Sequence, residues 1–117
     1  RALLSLVLVG LPELHDRLTL RRNRSLYSRL HRRLHVEPLV PDDTAEYLRV
    51  RLHGVGCDRE LFASDAVAML HEATLGALRD IDRLATAALR EAAKTKRQLV
   101  ERDTIARVVE ADARETA

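Results

Sequence analysis

The amino-acid sequence predicts a mainly α-helical protein, in which a short strand-helix-strand segment precedes a compact four-helix bundle. The chain is 46% hydrophobic and 32% charged, which is the balance of a folded globular domain. Only 3% of its residues are aromatic, so the core must consist of Leu, Val, Ile and Ala, which suits packed helices better than a β-sandwich. Most of the chain after residue 38 repeats apolar residues at intervals of three and four, the period of an α-helix.

The first predicted strand is the apolar run "LLSLVLV", residues 3–9, which is closed by "GLP". A short continuous run of Leu and Val is typical of a strand buried on both faces of a parallel sheet. Such a strand needs neighbours, and the first residue is Arg rather than Met, so we expect this chain to be part of a longer protein. Without those neighbours the run exposes unpaired backbone groups and apolar side chains, and we expect it to pair with another copy of the chain.

The segment after this run is predicted as one helix and a second strand. The helix begins at Pro12, a favourable first helical residue, and continues through "SRL" with a break near Asn23. The stretch "HRRLHVEPLV" then alternates loosely between polar and apolar residues, which predicts a strand that Pro38 ends.

Four further helices are predicted between residues 38 and 117. Caps and helix breakers indicate their starts, which are Pro41, Ser64 as a cap, Ala77 or Leu78, and Asp103 as a cap. Glycines end the first two, at Gly54 to Gly56 and at Gly76, and the third runs to about Lys94. The residues predicted to face the core are Ala45, Leu48, Leu52, Val55, Val67, Leu70, Ala73, Ile81, Leu84, Ala85, Ala88, Leu89, Ala92, Ile105, Val108 and Val109.

The charge of the chain is unevenly distributed. The net charge is +2, but residues 1–35 contain eight Arg against two acidic residues, so the remainder is acidic. This asymmetry predicts a local anionic partner or a charged subunit interface. A single cysteine, Cys57, excludes an internal disulfide, and the apolar run is too short to span a bilayer, so we expect a cytoplasmic protein without a membrane partner.

No motif in the chain is sufficient for catalysis. A P-loop, a nucleophile elbow and paired carboxylates at a strand end are all missing from the sequence, so we expect no activity from this segment alone. His53 and Cys57 are four residues apart, as are His31 and His35. Because zinc needs three or four ligands, we predict solvated side chains and no metal site.

Arg79 is the first candidate site residue, because it is predicted in the first turn of a helix. A cation there costs up to about 1 kcal/mol unless an anion accompanies it. That anion is either Asp80 or Asp82 on the same turn, or a phosphate from outside the chain. The second candidate group consists of arginines that are either a solvated basic face or contacts to phosphate or DNA, namely Arg21, Arg22, Arg24, Arg29, Arg32 and Arg33.

The order and spacing of these segments, from about residue 4 to residue 110, resemble the C-terminal half of an AAA+ ATPase. The stretches that carry the resemblance are "LVLVGLPEL", "SRLHRRLHVEPL", "DDTAEYLRVRLHGVG" and "LFASDAVAMLHEATLGALRDIDRLATAAL". The group that the chain resembles includes general secretion pathway protein A and the related ATPases that assist transposases.

The resemblance implies a role for several residues and segments. Residues 1–37 would be the strand-helix-strand remnant of a P-loop ATPase core, and residues 38–117 the four-helix AAA+ lid domain. Arg29 would be the arginine finger that reaches the nucleotide of a neighbouring subunit, and Arg79 would be the sensor 2 residue. Leu11 stands where the family has the sensor 1 Gln, and a leucine cannot make that residue's hydrogen bonds.

The resemblance also implies a function that depends on parts outside this chain. The cofactors would be ATP and Mg²⁺, with the P-loop, the Walker B residues and the Mg²⁺ ligands outside the segment. We expect an oligomeric ATPase in a ring or filament that couples ATP hydrolysis to transposition, with DNA and a transposase as partners. The alternatives are a secretion-pathway ATPase and a non-enzymatic helical module that binds DNA or a protein.

Overall fold

The computed structural model describes residues 3–116, which are mainly helical. It contains six α-helices and no strand over these residues, which confirms the predicted fold class. The helices are α1 (Pro12–Leu18), α2 (Arg24–Arg29), α3 (Pro41–Gly54), α4 (Ser64–Thr74), α5 (Leu78–Lys94) and α6 (Arg102–Thr116). The chain divides into two compact units, Arg1–Val36 and Glu37–Ala117.

The first unit contains α1 and α2, separated by a 3₁₀ turn at Arg21–Asn23. The predicted break near Asn23 is confirmed, and hydrogen bonds explain it. The Asn23 side chain donates to the Arg17 carbonyl at 2.7 Å, and the Thr19 hydroxyl donates to the Asp16 carbonyl at 2.9 Å. These side chains occupy carbonyls at the end of α1 that a continuing helix would use, so the helix stops.

The two predicted strands are wrong for the residues that the structure describes. The apolar run from residue 3 to residue 9 forms no strand, and its side chains are exposed, with Leu3 at 93% and Val9 at 89%. Residues 31–40 likewise form no strand. A strand needs a partner whose backbone groups complete its hydrogen bonds, and no strand among residues 3–116 supplies one.

The second unit is a bundle of α3 to α6 around one apolar core. The five core residues of α5 recur at the helical period and were all predicted, which confirms this helix and its buried face. The core contributed by all elements consists of Leu48, Phe62, Ala66, Leu70, Ile81, Leu84, Ala85, Ala88, Ala92, Val100 and Ile105.

The long connections of the bundle meet in a short parallel bridge between Phe62 and Val100. The Ala63 amide donates to the Val100 carbonyl at 2.9 Å, and the Val100 amide donates to the Leu61 carbonyl at 2.6 Å. Phe62 is 8% and Val100 1% exposed, so this bridge lies in the core. It ties the segment before α4 to the segment before α6.

Three predictions of core-facing residues are wrong, one in α3, one directly after it and one in α4. Ala45, Val55 and Ala73 are exposed, whereas the neighbouring Thr44 and Thr74 are buried. Both threonines have polar partners inside the bundle: Thr44 Oγ1 lies 2.7 Å from His71 Nδ1, and the Thr74 hydroxyl donates to the Leu70 carbonyl at 2.9 Å. A hydroxyl with such a partner can be buried at little cost.

The structure also corrects two predicted helix caps. Ala63 is the N-cap of α4, and Ser64 is its first helical residue. Asp103 lies one residue inside α6, where its carboxylate accepts two hydrogen bonds of 2.9 Å from Arg97.

Candidate functional site

Arg79 is the second residue of α5, as the sequence predicts. Ala77 is the N-cap residue, and no side chain there makes a capping hydrogen bond. The first amides of a helix have no intrahelical acceptor, and they carry the positive end of the helix dipole. Arg79 therefore adds its charge to a helix end that already favours an anion.

The turn that leads into α5 is held against the start of the bundle. Gly76 has a φ of +80° and is buried, and the Leu39 amide donates to its carbonyl at 2.9 Å. A Cβ atom at residue 76 would lie 2.0 Å from the Leu39 oxygen, so only glycine fits. This close approach sets the position of the first turn of α5, and with it the position of Arg79.

The acidic neighbours of Arg79 are bound to other residues. Asp80 pairs with Arg83 at 3.1 Å. Asp82 accepts a hydrogen bond of 3.1 Å from the Tyr47 hydroxyl and lies 3.6 Å from Arg51. Arg79 itself is exposed and makes no ion pair with residues 3–116. The predicted alternative of an Arg79–Asp82 pair is thus not formed.

Sequence reasoning missed the contact between Tyr47 and Asp82. Burial raises the pKa of the Tyr47 hydroxyl, and the hydrogen bond to the Asp82 carboxylate raises it further. The two residues are 35 positions apart and lie on α3 and α5, so no local pattern indicates the pair. Its consequence is that Tyr47 holds Asp82 in a contact with α3 instead of with Arg79.

The six candidate arginines of the first unit are exposed, but one of them, Arg33, has an intramolecular role. The Arg33 guanidinium lies 4.1 Å from the centre of the Tyr27 ring, and it donates to the Tyr27 carbonyl at 3.0 Å. This stacking is a cation–π contact. The others are exposed and make no ion pair within the described part of the chain: Arg21, Arg22, Arg24, Arg29 and Arg32.

Residues 3–116 contain no group of side chains that is suited to binding a metal ion. No cluster of three or more His, Cys, Asp and Glu side chains could hold an ion there. His53 Nδ1 lies 2.5 Å from Asp58 Oδ1, and the Cys57 thiol donates to the Arg59 carbonyl at 3.7 Å.

Among residues 3–116, no helix combines the length and the apolar character that crossing a bilayer requires.

Comparison with known proteins finds a relative for this segment. The chain is 36% identical over 89 residues to general secretion pathway protein A of Aeromonas hydrophila. The matched part is 76% of this chain and 16% of that protein, so the chain spans about a sixth of the relative's length. No family model and no solved structure matches the chain.

This similarity supports one part of the resemblance that the sequence shows. A relationship with general secretion pathway protein A over most of the chain is consistent with the order and spacing of its helical segments. The relationship to ATPases that assist transposases receives no support from it and stays a prediction. Because the match covers a small share of the relative, it concerns this segment and not the activity of a whole protein.

Proposed function

We propose that the second unit, Glu37–Ala117, is the helical lid of an AAA+ ATPase and that Arg79 contacts the phosphates of the nucleotide. The observation that carries this proposal is an exposed arginine in the uncapped first turn of α5 whose acidic neighbours are paired elsewhere. The similarity to general secretion pathway protein A supports the relationship to this class. The lid would respond to ATP through one helix end.

The chemistry of this helix end suits a phosphate group. A guanidinium offers planar, bidentate hydrogen bonds to phosphate oxygens, and the free amides of a first turn add donors in the same direction. ATP would supply the phosphoryl group that is transferred to water. Residues 3–116 contain no cluster of His, Cys, Asp and Glu side chains that could hold a metal ion, so the proposal places the Mg²⁺ ligands in other parts of the protein. Arg79 would bind and orient the phosphates and neutralise their charge.

Arg29 has a separate role in the proposal, that of an arginine finger between subunits. It is the last residue of α2, is exposed, and makes no ion pair among the described residues. Its guanidinium is therefore available to a neighbouring copy of the protein. Arginine fingers that partner proteins supply are worth about 10³ to 10⁵ in the rate of phosphoryl transfer.

The process that the ATPase serves is a further part of the proposal. We infer a DNA-associated process from the exposed candidate arginines of the first unit. Transposition, with DNA and a transposase as partners, is the DNA-associated process that the resemblance to transposase-assisting ATPases implies. Secretion is the competing process, which the name of the relative favours. Stimulation of ATP turnover by DNA would support transposition, and turnover that DNA leaves unchanged would support secretion.

The first test is ATP turnover by the complete protein with Arg79→Ala and Arg29→Ala. We expect Arg79→Ala to lower turnover by about 10- to 100-fold and Arg29→Ala by about 10³-fold, because each loses charge stabilisation at the phosphates. Arg49→Ala is the control, since Arg49 is an exposed arginine of the same bundle that already pairs with Glu46. Its turnover should match that of the wild type.

Two results would contradict the proposal. If folded Arg79→Ala and Arg29→Ala proteins hydrolyse ATP at the wild-type rate, the two arginines are surface charges. If the wild-type protein hydrolyses no ATP, the chain is a non-enzymatic helical module, the alternative that the sequence leaves open.

A further inference from the structure

The cations of the bundle fall into two groups that differ in their partners. Half of the Lys and Arg residues in the second unit form an ion pair with a carboxylate, and these are Arg49, Arg51, Arg83, Arg97, Arg107 and Arg114. Apart from Arg79, the cations that form no ion pair with residues 3–116 are Arg59, Arg90, Lys94, Lys96 and Arg102. We call these five residues the basic end.

The basic end surrounds the connection between α5 and α6. Arg90 and Lys94 are one helical turn apart on α5, Lys96 follows this helix, and Arg102 is the first residue of α6. Arg59 reaches the connection from another part of the chain, because its guanidinium donates to the Gln98 carbonyl at 3.4 Å. All five side chains are exposed, so their charges are open to a partner.

Nearby acidic groups offset this surface only in part, because Glu91 on α5 and Glu60 beside Arg59 are two carboxylates against five unpaired cations. Asp103 accepts its hydrogen bonds from Arg97, and Glu101 lies 3.5 Å from the same guanidinium. These carboxylates are thus matched by Arg97 and by Arg107, which lies 3.4 Å from Asp103. The helix dipole adds only about half a negative charge at the C-terminal end of α5, which is less than the positive charge of the unpaired cations.

The backbone at Lys96 is left-handed, which makes this residue useful for testing the surface. Lys96 has a φ of +57°, in a turn where the Arg97 amide donates to the Ala92 carbonyl at 2.9 Å and the Lys96 amide donates to the Ala93 carbonyl at 3.2 Å. Helices that end in this way usually place glycine at the left-handed position, because a Cβ atom there is strained against the backbone. A lysine at this position is less stable than glycine would be, as is Leu75 at the end of α4, where φ is +52°. Lys96→Gly therefore removes a charge and relieves the backbone at the same time.

We propose that the basic end binds the phosphate backbone of double-stranded nucleic acid. A polyanion of this kind needs several unpaired cations on a rigid surface, and its affinity follows from the counterions that they release. An acidic protein segment would in general add apolar anchors. Within residues 90–102 the exposed large apolar side chain is Leu99, at 36%, and it lines a small open pocket of about 140 Å³ together with Arg59 and Arg97. This pocket is smaller than the roughly 300–1,000 Å³ that binding pockets usually have, so charge is the main feature of the surface.

This inference goes beyond the proposed lid function and can fail separately from it. Arg79 and Lys94 are 15 residues apart on α5, which is about 22 Å along a helix. The basic end is therefore at the opposite end of α5 from the proposed phosphate contact. Binding of nucleic acid can be measured without any nucleotide, so the two proposals are tested separately.

The test is the affinity of the 117-residue chain for a labelled DNA duplex of mixed sequence, followed by fluorescence anisotropy as NaCl is raised. We expect the triple variant Arg90→Gln, Lys94→Gln, Lys96→Gln to bind at least about tenfold more weakly at low salt, with a salt slope shallower by roughly 3. The control triple variant Arg49→Gln, Arg51→Gln, Arg114→Gln loses the same charge from ion-paired residues. It should keep the wild-type slope to within about 1.

The variant Lys96→Gly distinguishes an effect on DNA binding from an effect on folding. Because glycine relieves the left-handed backbone, this variant should unfold at a higher urea concentration than the wild type while its salt slope becomes shallower by about 1. A loss of DNA binding together with a gain of stability cannot come from a damaged fold.

Three results would overturn the inference. The first is a wild-type chain that binds no DNA, or a basic-end variant that is no weaker than the control triple variant. The second is a variant of the first unit, Arg21→Gln, Arg22→Gln, Arg24→Gln, that abolishes binding while the basic-end variant keeps the wild-type slope. The third is that the chain binds polyglutamate as tightly as it binds DNA and that the basic-end variant weakens both to the same extent. This result would identify an acidic protein segment as the partner.

Discussion

At residue 76 the backbone has a φ of +80°, and the Leu39 carbonyl oxygen occupies the place where a side chain would begin. We expect Gly76→Ala to destabilise the bundle by about 2–4 kcal/mol, because it combines a left-handed alanine with a clash against backbone. Urea unfolding followed by circular dichroism measures this loss. The same change should also move the first turn of α5 and so displace Arg79.

Gly54 provides the matched control at the residue scale. It is the last residue of α3, and a Cβ atom there would contact nothing within 4 Å. Gly54→Ala should be neutral or should stabilise the bundle by up to about 1 kcal/mol, since alanine favours the helix and restricts the unfolded chain. Equal unfolding midpoints for the two variants would show that the contact at Gly76 is unimportant.

At the scale of elements, the pairing of Arg97 with Asp103 joins the α5–α6 connection to the first turn of α6. The hydrogen bonds from the Arg97 guanidinium hold the pKa of the Asp103 carboxyl below its ordinary value of 3.8. Because the folded-state pKa is depressed, this carboxylate stabilises the bundle above about pH 4, and its contribution is lost as the pH falls through the folded-state pKa. Asp103→Asn should therefore lose less stability than the wild type on acidification.

The measurement is the urea midpoint of both proteins between about pH 5 and pH 2, the range in which such a carboxylate becomes protonated. Glu72→Gln is a control, since Glu72 is exposed and forms no ion pair with the described residues. The acid limb of the Glu72→Gln curve should follow that of the wild type. An Asp103→Asn curve that is parallel to the wild-type curve would mean that the pair adds nothing to stability.

At the scale of the whole molecule, the run from residue 3 to residue 9 leaves apolar side chains exposed outside any helix, with Leu6 at 62% and Val7 at 79%. We expect the chain to self-associate through this run, because its unpaired backbone and apolar side chains suit strand pairing with a second copy. Val7→Lys should shift the sedimentation of concentrated protein towards the monomer. A wild-type chain that stays monomeric at all concentrations would contradict the expectation.

The control for this prediction comes from the bundle. Val50 is also exposed, at 56%, but it lies on helix α3. Val50→Lys should leave self-association unchanged. Both variants should unfold at the wild-type urea concentration, because the apolar core lies between Leu48 and Ile105, outside the run.

Much of the bundle could be predicted from the sequence because helix signals are local. Pro41 begins α3, α5 extends from Leu78 to Lys94, and the core face of α5 from Ile81 to Ala92 follows directly from spacings of three and four. The position of Arg79 in a first turn also follows from this spacing. The proposed role of Arg79, and that of Arg29, stay predictions that turnover measurements test.

The remaining features were decided by residues that are distant in the sequence. Tyr47 lies 35 positions from Asp82 and His71 lies 27 positions from Thr44, and both pairs determine which polar side chains are held inside or beside the bundle. The two predicted strands fail for the same reason, since a strand exists only where another supplies its hydrogen bonds.

The sequence by itself determined the mainly helical class, the starts of α3 and α5 and the core stripe of α5, because these depend on residues within one or two turns of each other. Only the tertiary structure decided that Asp82 pairs with Tyr47 and leaves Arg79 without an acidic partner among the described residues. It also placed Arg59 at the basic end, beside Gln98. The physical reason is that a charge is paired or unpaired according to which side chains packing brings within about 4 Å, and packing joins residues far apart in the chain.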